Sequence, residues 1–350
     1  LNNILTDENN SGLDISNSTL KSIITNGDNS PVELSNSSIL NSETNGIETN
    51  GDSSFVTLES STIKNNSDRG IYTSGSNSDV ALYDCHILNN GDDGIRVSGS
   101  NSNVDLDYSF VNLNSSYGVY ASNDINVTYS QLSYNGLIGL YASGRLTADY
   151  TNSTFNNGNG IYSSTMSGVT NCILWGNNNG GTQTSGSNSI LYSSIQGLST
   201  FGTGGAYTAN CIDGIPLFQD SAQHLGLNSP CVDAGEVYEA DSCMPYGLGG
   251  PRSDVGMYGG PGNWFWGGTP TLDGSPIITS IEDSPQDQGG MVGILFDASL
   301  WDNTSIANNV ISYTIWRHYD VNGISISSEN QGNWELIGTM PSHNFNAYAY

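Results

Sequence analysis

The chain has 350 residues, with 34 acidic against 7 basic side chains, and its formal net charge is −27 at pH 7. Because phosphate binding needs Lys and Arg, this charge argues against nucleic acid and anionic lipid as partners, and it favours bound cations. No apolar run reaches the roughly 18 residues of a membrane span, while 36% hydrophobic residues are enough for a folded core.

A repeated polar phrase organises the first part of the chain. "DRGIYTSGSNSDVAL" (68–82) and "DDGIRVSGSNSNVDL" (92–106) are close copies. Around them, aliphatic residues recur every 24 and then every 21 residues, and each unit has Gly followed by an aliphatic residue fourteen positions after its start. The starts of the units are Val32, Val56, Val80, Val104, Ile125 and Leu146.

A fixed period of this length is typical of a solenoid, and the alternation of apolar and polar residues within each unit predicts strands. We therefore predict a parallel β-helix of eight or nine coils over residues 1–209, with aliphatic side chains inside and glycines at the corners where the backbone bends. An asparagine ten residues after most starts predicts an amide ladder of Asn66, Asn90, Asn114, Asn135 and Asn156. The pattern resembles secreted bacterial right-handed β-helix proteins of the pectate-lyase-like superfamily, and this resemblance implies a fold and not an activity.

Residues 210–262 contain "PLFQD", "SPCVDAG" and "RSDVGMY" (252–258) in that order. These motifs resemble the C-terminal segment of the choice-of-anchor Q group, which implies a cap on the β-helix ahead of a surface-anchoring or secretion signal. A cap is also expected physically, because the last coil would otherwise expose strand edges and an open core.

The five cysteines fall into two groups. Cys85 occupies an inward column of small residues, and both it and Cys172 are expected to be buried free thiols. Cys211, Cys231 and Cys243 lie around the predicted cap, where three pairings are open and a Cys231–Cys243 disulfide is the preferred one in an oxidising compartment.

Beyond the cap, we predict a linker at 263–276, in which Trp264 and Trp266 pack on a neighbour. From 277 to 350, apolar β-rich stretches separated by turn residues predict an antiparallel sandwich, with Trp316 and Trp334 in its core. These stretches resemble fibronectin-III-like domains of secreted bacterial proteins. We expect the sandwich to be incomplete and the chain to be part of a longer protein.

An outward column lies sixteen residues after the starts of successive units. Its members are Tyr72, Arg96, Tyr120, Tyr141 and Tyr162, preceded by Glu48. In one interpretation the tyrosine rings contact sugars and the guanidinium binds a carboxylate or sulfate. In the other, which we favour, the column is a structural stack with cation–π contacts worth about 0.5–1 kcal/mol.

Two groups of aspartates are candidate calcium sites. Asp68 and Asp92 are predicted to stack in adjacent coils, with Asp93 and Arg69 beside them. Like charges at this spacing repel, so a cation or Arg69 would relieve the strain, and a carboxylate pair also suits glycoside hydrolysis. The simpler alternative, which we favour, is a set of solvated turn acids.

The second group lies in the predicted cap. Asp233, Asp241 and Asp254, with Asp220 nearby in sequence, offer the oxygen ligands that calcium prefers. The favoured alternative is that they accept backbone N–H groups in tight turns and that one pairs with Arg252. No cofactor is required by the sequence, although a structural calcium ion is compatible with it.

No residue is nominated as catalytic. The sequence has no H-E-x-x-H, G-x-S-x-G or P-loop motif, and its few basic residues do not pair in one outward column of neighbouring coils. We therefore predict a secreted structural and adhesive module of a cell-surface adhesin or filament, which binds a glycan, another surface ligand or copies of itself. The alternative is a β-helix polysaccharide lyase or glycoside hydrolase.

Overall fold

A computed structural model describes residues 2–241 except 201 and 227, residues 252–262, and strands within 277–349. The described residues up to 262 belong to one compact unit and those from 277 onward to a second. Among them, no helix has the length and apolar character needed to cross a bilayer.

Short strands and one 3₁₀ turn (Asn177–Gly180) make up the first unit. The strands are, in chain order, β1 (Asn3–Thr6), β2 (Leu13–Ser16), β3 (Thr19–Leu20), β4 (Ser22–Thr25), β5 (Val32–Ser35), β6 (Ser38–Leu40), β7 (Ile47–Thr49), β8 (Val56–Glu59), β9 (Thr62–Lys64), β10 (Ile71–Thr73), β11 (Val80–Tyr83), β12 (His86–Leu88), β13 (Ile95–Val97), β14 (Val104–Asp107), β15 (Phe110–Asn112), β16 (Val119–Ala121), β17 (Ile125–Thr128), β18 (Gln131–Ser133), β19 (Leu140–Ala142), β20 (Leu146–Asp149), β21 (Asn152–Thr154), β22 (Ile161–Thr170), β23 (Ile173–Trp175), β24 (Thr184–Leu191), β25 (Ser194–Ile195) and β26 (Tyr207–Ala209).

Three strands form a typical coil, and each pairs in parallel with the equivalent strand of the next coil. The first set runs from β2 through β5, β8, β11, β14, β17 and β20, the second from β3 to β25, and the third from β1 through β4 to β19. The first and third sets merge at the long strands β22 and β24. Val56 is in register with Val32 and Val80, and Val80 with Val104. The predicted parallel β-helix is confirmed, with about 10 turns instead of the predicted eight or nine.

The interior of the coils contains an aliphatic core and a continuous amide ladder. Val56, Val80 and Val104 are fully buried. Each ladder asparagine donates its side-chain N–H to the oxygen of the next one at 2.9–3.0 Å, from Asn66 onward. The predicted ladder is confirmed, and it continues one coil further to Asn177.

The repeat glycines lie at bends between strands, whereas the left-handed backbone of the corners occurs at other residues. Left-handed backbone occurs at Asn65, Asn89 and Leu113 in one corner column, and Gly94 is not among the residues with positive φ. Gly94 is needed for a different reason, since a Cβ there would lie 2.7 Å from the Asn114 amide nitrogen and 2.7 Å from a backbone oxygen of the next coil. The repeat glycines therefore lie at the bends, as predicted, but close packing on the next coil and not left-handed backbone explains why glycine is needed there.

Residues that follow the last coil cover the side of the β-helix. We call residues 222–241 and 252–262 the flank segment. Gly256 donates its N–H to the Asn171 oxygen at 2.7 Å, and Gly262 donates to the Tyr129 hydroxyl at 3.0 Å. The physical reason is an apolar outer face in this region, where Ile173 packs with Leu225, Cys231 and Val255 in a buried cluster.

Cys85 and Cys172 are buried free thiols, as predicted. Burial raises the pKa of the Cys85 thiol to about 12. Cys231 is also a buried free thiol, so the preferred disulfide with Cys243 is not formed in this structure, and Cys243 itself lies outside the described residues.

The second unit contains small antiparallel sheets. Its strands are β27 (Ile277–Asp283), β28 (Val292–Asp297), β29 (Ser312–Tyr319), β30 (Asn333–Pro341) and β31 (Ala347–Ala349), arranged as β27–β28–β31 and β29–β30. Ile294, Phe296, Tyr313 and Ile315 form one buried cluster from both sheets. The predicted strands are confirmed, and a fibronectin-III-like sandwich stays a prediction. The predicted linker and its tryptophans, and the side chains of Trp316 and Trp334, lie outside the described part.

Candidate functional site

The predicted outward column, here called the tyrosine column, consists of Tyr72, Arg96, Tyr120, Tyr141 and Tyr162 in register on adjacent third-set strands. The Tyr120 and Tyr141 ring centroids are 4.9 Å apart at an interplanar angle of 9°, and those of Tyr141 and Tyr162 are 4.5 Å apart at 10°. The Arg96 guanidinium lies 4.3 Å from the centroid of the Tyr120 ring. Because the rings stack face to face, an approaching ligand would meet mainly their edges and hydroxyl groups. This geometry matches the structural interpretation of the column.

Two arginines neutralise the first group of predicted calcium ligands. Arg69 lies 3.1 Å from Asp92, 3.7 Å from Asp93 and 4.0 Å from Asp68, and Arg96 lies 3.0 Å from Asp93. Asp93 is fully buried and also accepts the Tyr117 N–H at 3.0 Å. These carboxylates therefore already have counter-ions, so the network needs neither a cation nor a catalytic role to explain it.

An open groove lies on the outer face of the first strand set, at β8, β11, β14 and β17. Its volume is about 610 Å³, and it is open to solvent and not enclosed as a typical small-molecule site is. Glu59, Asp105 and Asp107 line it together with Tyr83, whose exposed fraction is 49%. We call this the acidic groove.

Contacts within the acidic groove hold its side chains in place. Asp105 accepts the Asn126 amide N–H at 2.8 Å, and Asp107 accepts the Thr128 hydroxyl. The Tyr83 ring meets the Tyr108 ring edge-to-face at 5.5 Å and 68°. Burial and the nearby Asp107, Asp84 and Glu59 charges raise the Tyr83 pKa, so its hydroxyl stays neutral at physiological pH. The groove thus offers an aromatic ring beside fixed hydrogen-bond acceptors.

Sequence reasoning missed the acidic groove. A small residue in an outward column could have indicated it. Ala81 lies in register between Thr57 and Asp105, and its short side chain leaves space on the outer face of its strand. Tyr83 stands out similarly between Glu59 and Asp107 in its own column. Both columns are visible in the sequence once the inward register is known.

The second group of predicted calcium ligands is brought together in the flank segment. Carboxylate oxygens of Asp233, Asp241 and Asp254, here called the flank aspartates, all lie within 4.8 Å of one another. Asp254 accepts the Asp233 N–H at 2.7 Å, and Asp241 accepts the N–H groups of Asp254 at 2.9 Å and Gly260 at 2.6 Å. Burial raises the pKa of Asp241 and, with the additional repulsion from Asp241, that of Asp254.

The alternative to a calcium site was that these acids accept backbone N–H groups and that one of them pairs with Arg252. Asp241 and Asp254 accept backbone N–H groups, as this interpretation predicts. The predicted pairing with Arg252 is wrong, because this side chain donates to the Gly235 oxygen at 2.8 Å and the Ala234 oxygen at 3.0 Å. Asp220 lies apart from them in a pair with His224 at 2.7 Å.

Comparison with known families agrees with this geometry. Residues 2–128 match the family model described as a right handed beta helix region. The first unit of the chain is a right-handed parallel β-helix. No curated protein and no solved structure matches it.

The residues that match the family model include one of the two candidate sites and not the other. All residues of the acidic groove lie inside the matched range, whereas the flank aspartates lie beyond it. Since one fold can carry many activities, the β-helix assigns no function to either site. Function has to be argued from the chemistry of each site.

Proposed function

We propose that this β-helix protein is a secreted structural and adhesive module that binds a glycan in the acidic groove. The observation that supports this most is the exposed Tyr83 ring beside Glu59, Asp105 and Asp107 on regular strands. Tyrosine combines a flat apolar surface with a polar tip. Carboxylates accept hydrogen bonds from sugar hydroxyls, which gives orientation and specificity.

The charge of the groove narrows the class of ligand. Three carboxylates line it, and the whole chain carries a net charge of −27. Polyuronates and sulfated glycans would be repelled unless cations bridged them, so neutral or amino sugars fit better. The proposed ligand is therefore a neutral or amine-bearing glycan.

The scaffold around the groove supports a mechanical role. The amide ladder crosses successive coils, and the strand register is regular from Val32 to Leu146. A site on such strands is held more rigidly than one on loops. Rigid presentation of a ligand surface suits an adhesin or a filament subunit, and a filament would also bring copies of the chain together.

Binding to immobilised neutral, amino and acidic glycans tests the proposal. Tyr83→Ala should weaken binding at least about tenfold, and Ala81→Arg should block the groove by filling it. Tyr207→Ala is the matched control, because Tyr207 is 67% exposed on β26, far along the chain from the groove. Equal binding by all these folded proteins, or no binding by the unchanged protein, refutes the groove as a glycan site.

The same samples separate the other functions. New reducing ends or unsaturated products would instead favour the hydrolase or lyase alternative, for which the groove carboxylates are the first candidates. Ordered multimers in electron micrographs would favour a filament subunit over a separate adhesin module.

A further inference from the structure

The flank aspartates have the spacing of a single cation site. Three ligand oxygens within 4.8 Å of one another can all reach one central ion, because calcium–oxygen distances are about 2.3–2.6 Å and two opposite ligands are then about 5 Å apart. Asp241 and Asp254 are buried, while Asp233 is exposed. The group is therefore enclosed on one side and open to solvent on the other.

An unsatisfied oxygen provides independent evidence for a ligand. Asp254 is fully buried, and its Oδ2 accepts no N–H or O–H from a neutral or basic group among the described residues. The other oxygen of this carboxylate already accepts the Asp233 N–H. A buried carboxylate oxygen without a partner is costly, and a bound cation would remove that cost.

No basic side chain supplies the missing positive charge in the described part of the flank segment. Arg252 donates to backbone oxygens instead, and no ion pair involves a flank aspartate there. Two buried acids and a third nearby would therefore repel one another when ionised. This is the opposite of the Asp68, Asp92 and Asp93 group, which has two arginines.

We propose that Asp233, Asp241 and Asp254 bind one calcium ion, which fastens the flank segment. The donor set consists of carboxylate oxygens, which suits calcium and not the softer transition metals. Magnesium fits less well because it retains most of its water and needs near-octahedral geometry. Backbone oxygens and water complete the coordination.

The position of the site explains what the ion would stabilise. The three acids come from separate stretches of the flank segment, and Asp241 also holds the N–H of Gly260. Gly260 lies directly against the Tyr150 ring, where an added Cβ would be 2.3 Å from the ring carbon. Calcium therefore connects these stretches to each other next to a side chain of the coils. Its removal should loosen the flank segment and leave the coils intact.

Direct binding to the full chain tests the stoichiometry. Protein freed of metal by chelation should bind one Ca²⁺ per chain in calorimetry, and one Tb³⁺ should give tyrosine-sensitised luminescence, because Tyr150 lies beside the site. Asp254→Asn should lose this binding. Asp14→Asn, which removes the same charge from an exposed position on β2, should retain it. Absence of binding by the unchanged protein at millimolar Ca²⁺, or unchanged binding by Asp254→Asn, overturns the proposal.

Hydrogen exchange of the unchanged protein gives a second test that needs no variant. With Ca²⁺ instead of a chelator, amide exchange in the flank segment should slow at least about tenfold, while exchange in the core strands such as β11 stays the same. Equal protection by the same concentration of Mg²⁺ overturns the assignment to calcium. Equal exchange with and without Ca²⁺ overturns the fastening role, even if Asp254→Asn does not fold.

Discussion

Replacing Asn114 by alanine should lower the free energy of unfolding by about 2–6 kcal/mol. The Asn114 oxygen accepts the Asn90 backbone N–H at 3.1 Å and the Asn90 side-chain N–H at 2.9 Å. The substitution removes this acceptor and leaves both donors buried without it, at a cost of about 1–3 kcal/mol each. Asn114 also donates to the Asn135 side chain at 3.0 Å and to the Ile87 oxygen at 3.2 Å, and these bonds are lost as well.

Urea unfolding followed by circular dichroism and by tyrosine fluorescence measures this change. Coincident transitions from both probes are needed, because solenoids can unfold in parts. Asn114→Leu separates hydrogen bonding from packing, since leucine fills a similar volume but cannot bond. Asn126→Ala is the control, at an exposed site where about 0.5 kcal/mol is expected. A loss below about 1 kcal/mol in Asn114→Ala, or full stability in Asn114→Leu, would show that the ladder bonds are not what stabilises the coils.

Three further changes probe close packing and burial. Gly94→Ala should destabilise the protein by about 1–3 kcal/mol through overpacking. Gly168→Ala should be nearly neutral, because no atom lies within 4 Å of the new Cβ. Equal melting temperatures for the two variants would contradict this. Burial raises the pKa of Asp149 from its usual 3.8 to about 6, so the folded state loses stability as pH rises through 6. Asp149→Asn should then be more stable than the unchanged protein at pH 8, by at most about 3 kcal/mol, and equally stable below pH 4. Urea denaturation at each pH measures this. The same difference in the free energy of unfolding at every pH would contradict the prediction. The raised pKa of Cys85 should prevent its alkylation at pH 8 until urea unfolds the chain. Mass spectrometry of the labelled protein measures this, and rapid labelling of Cys85 in the native protein would contradict it.

The coil architecture could be predicted because its information is local and repeated. A shift of one residue would turn an inward valine outward, so Val56, Val80 and Val104 together determine the register. The ladder asparagines were predictable for the same reason. The position of the repeat glycines at the bends was predictable too, but the reason for glycine was not, because a Cβ at Gly94 would clash with Asn114 of the next coil and not with its own turn.

The candidate sites depended on contacts that no repeat contains. The acidic groove requires knowing that Ala81 lies between Thr57 and Asp105 in space and that nothing larger fills that position. The flank aspartates were named as ligands from their residue type alone, while their common position depends on how the flank segment folds. The structure brings these three acids together, which sequence reasoning could not show.

A change in one corner column does carry the information about where the flank segment lies. Ser60 and Asp84 hold this left-handed corner in early coils, and Tyr108, Tyr129 and Tyr150 hold it in later ones. A tyrosine with positive φ is strained, so it persists only where other contacts compensate. Those contacts come from the flank segment, since Tyr108 donates to the Gly262 oxygen, Tyr129 accepts the Gly262 N–H, and Tyr150 bonds to Glu239. In this β-helix, the three tyrosines that replace small polar residues at this corner therefore mark the surface on which the flank segment packs.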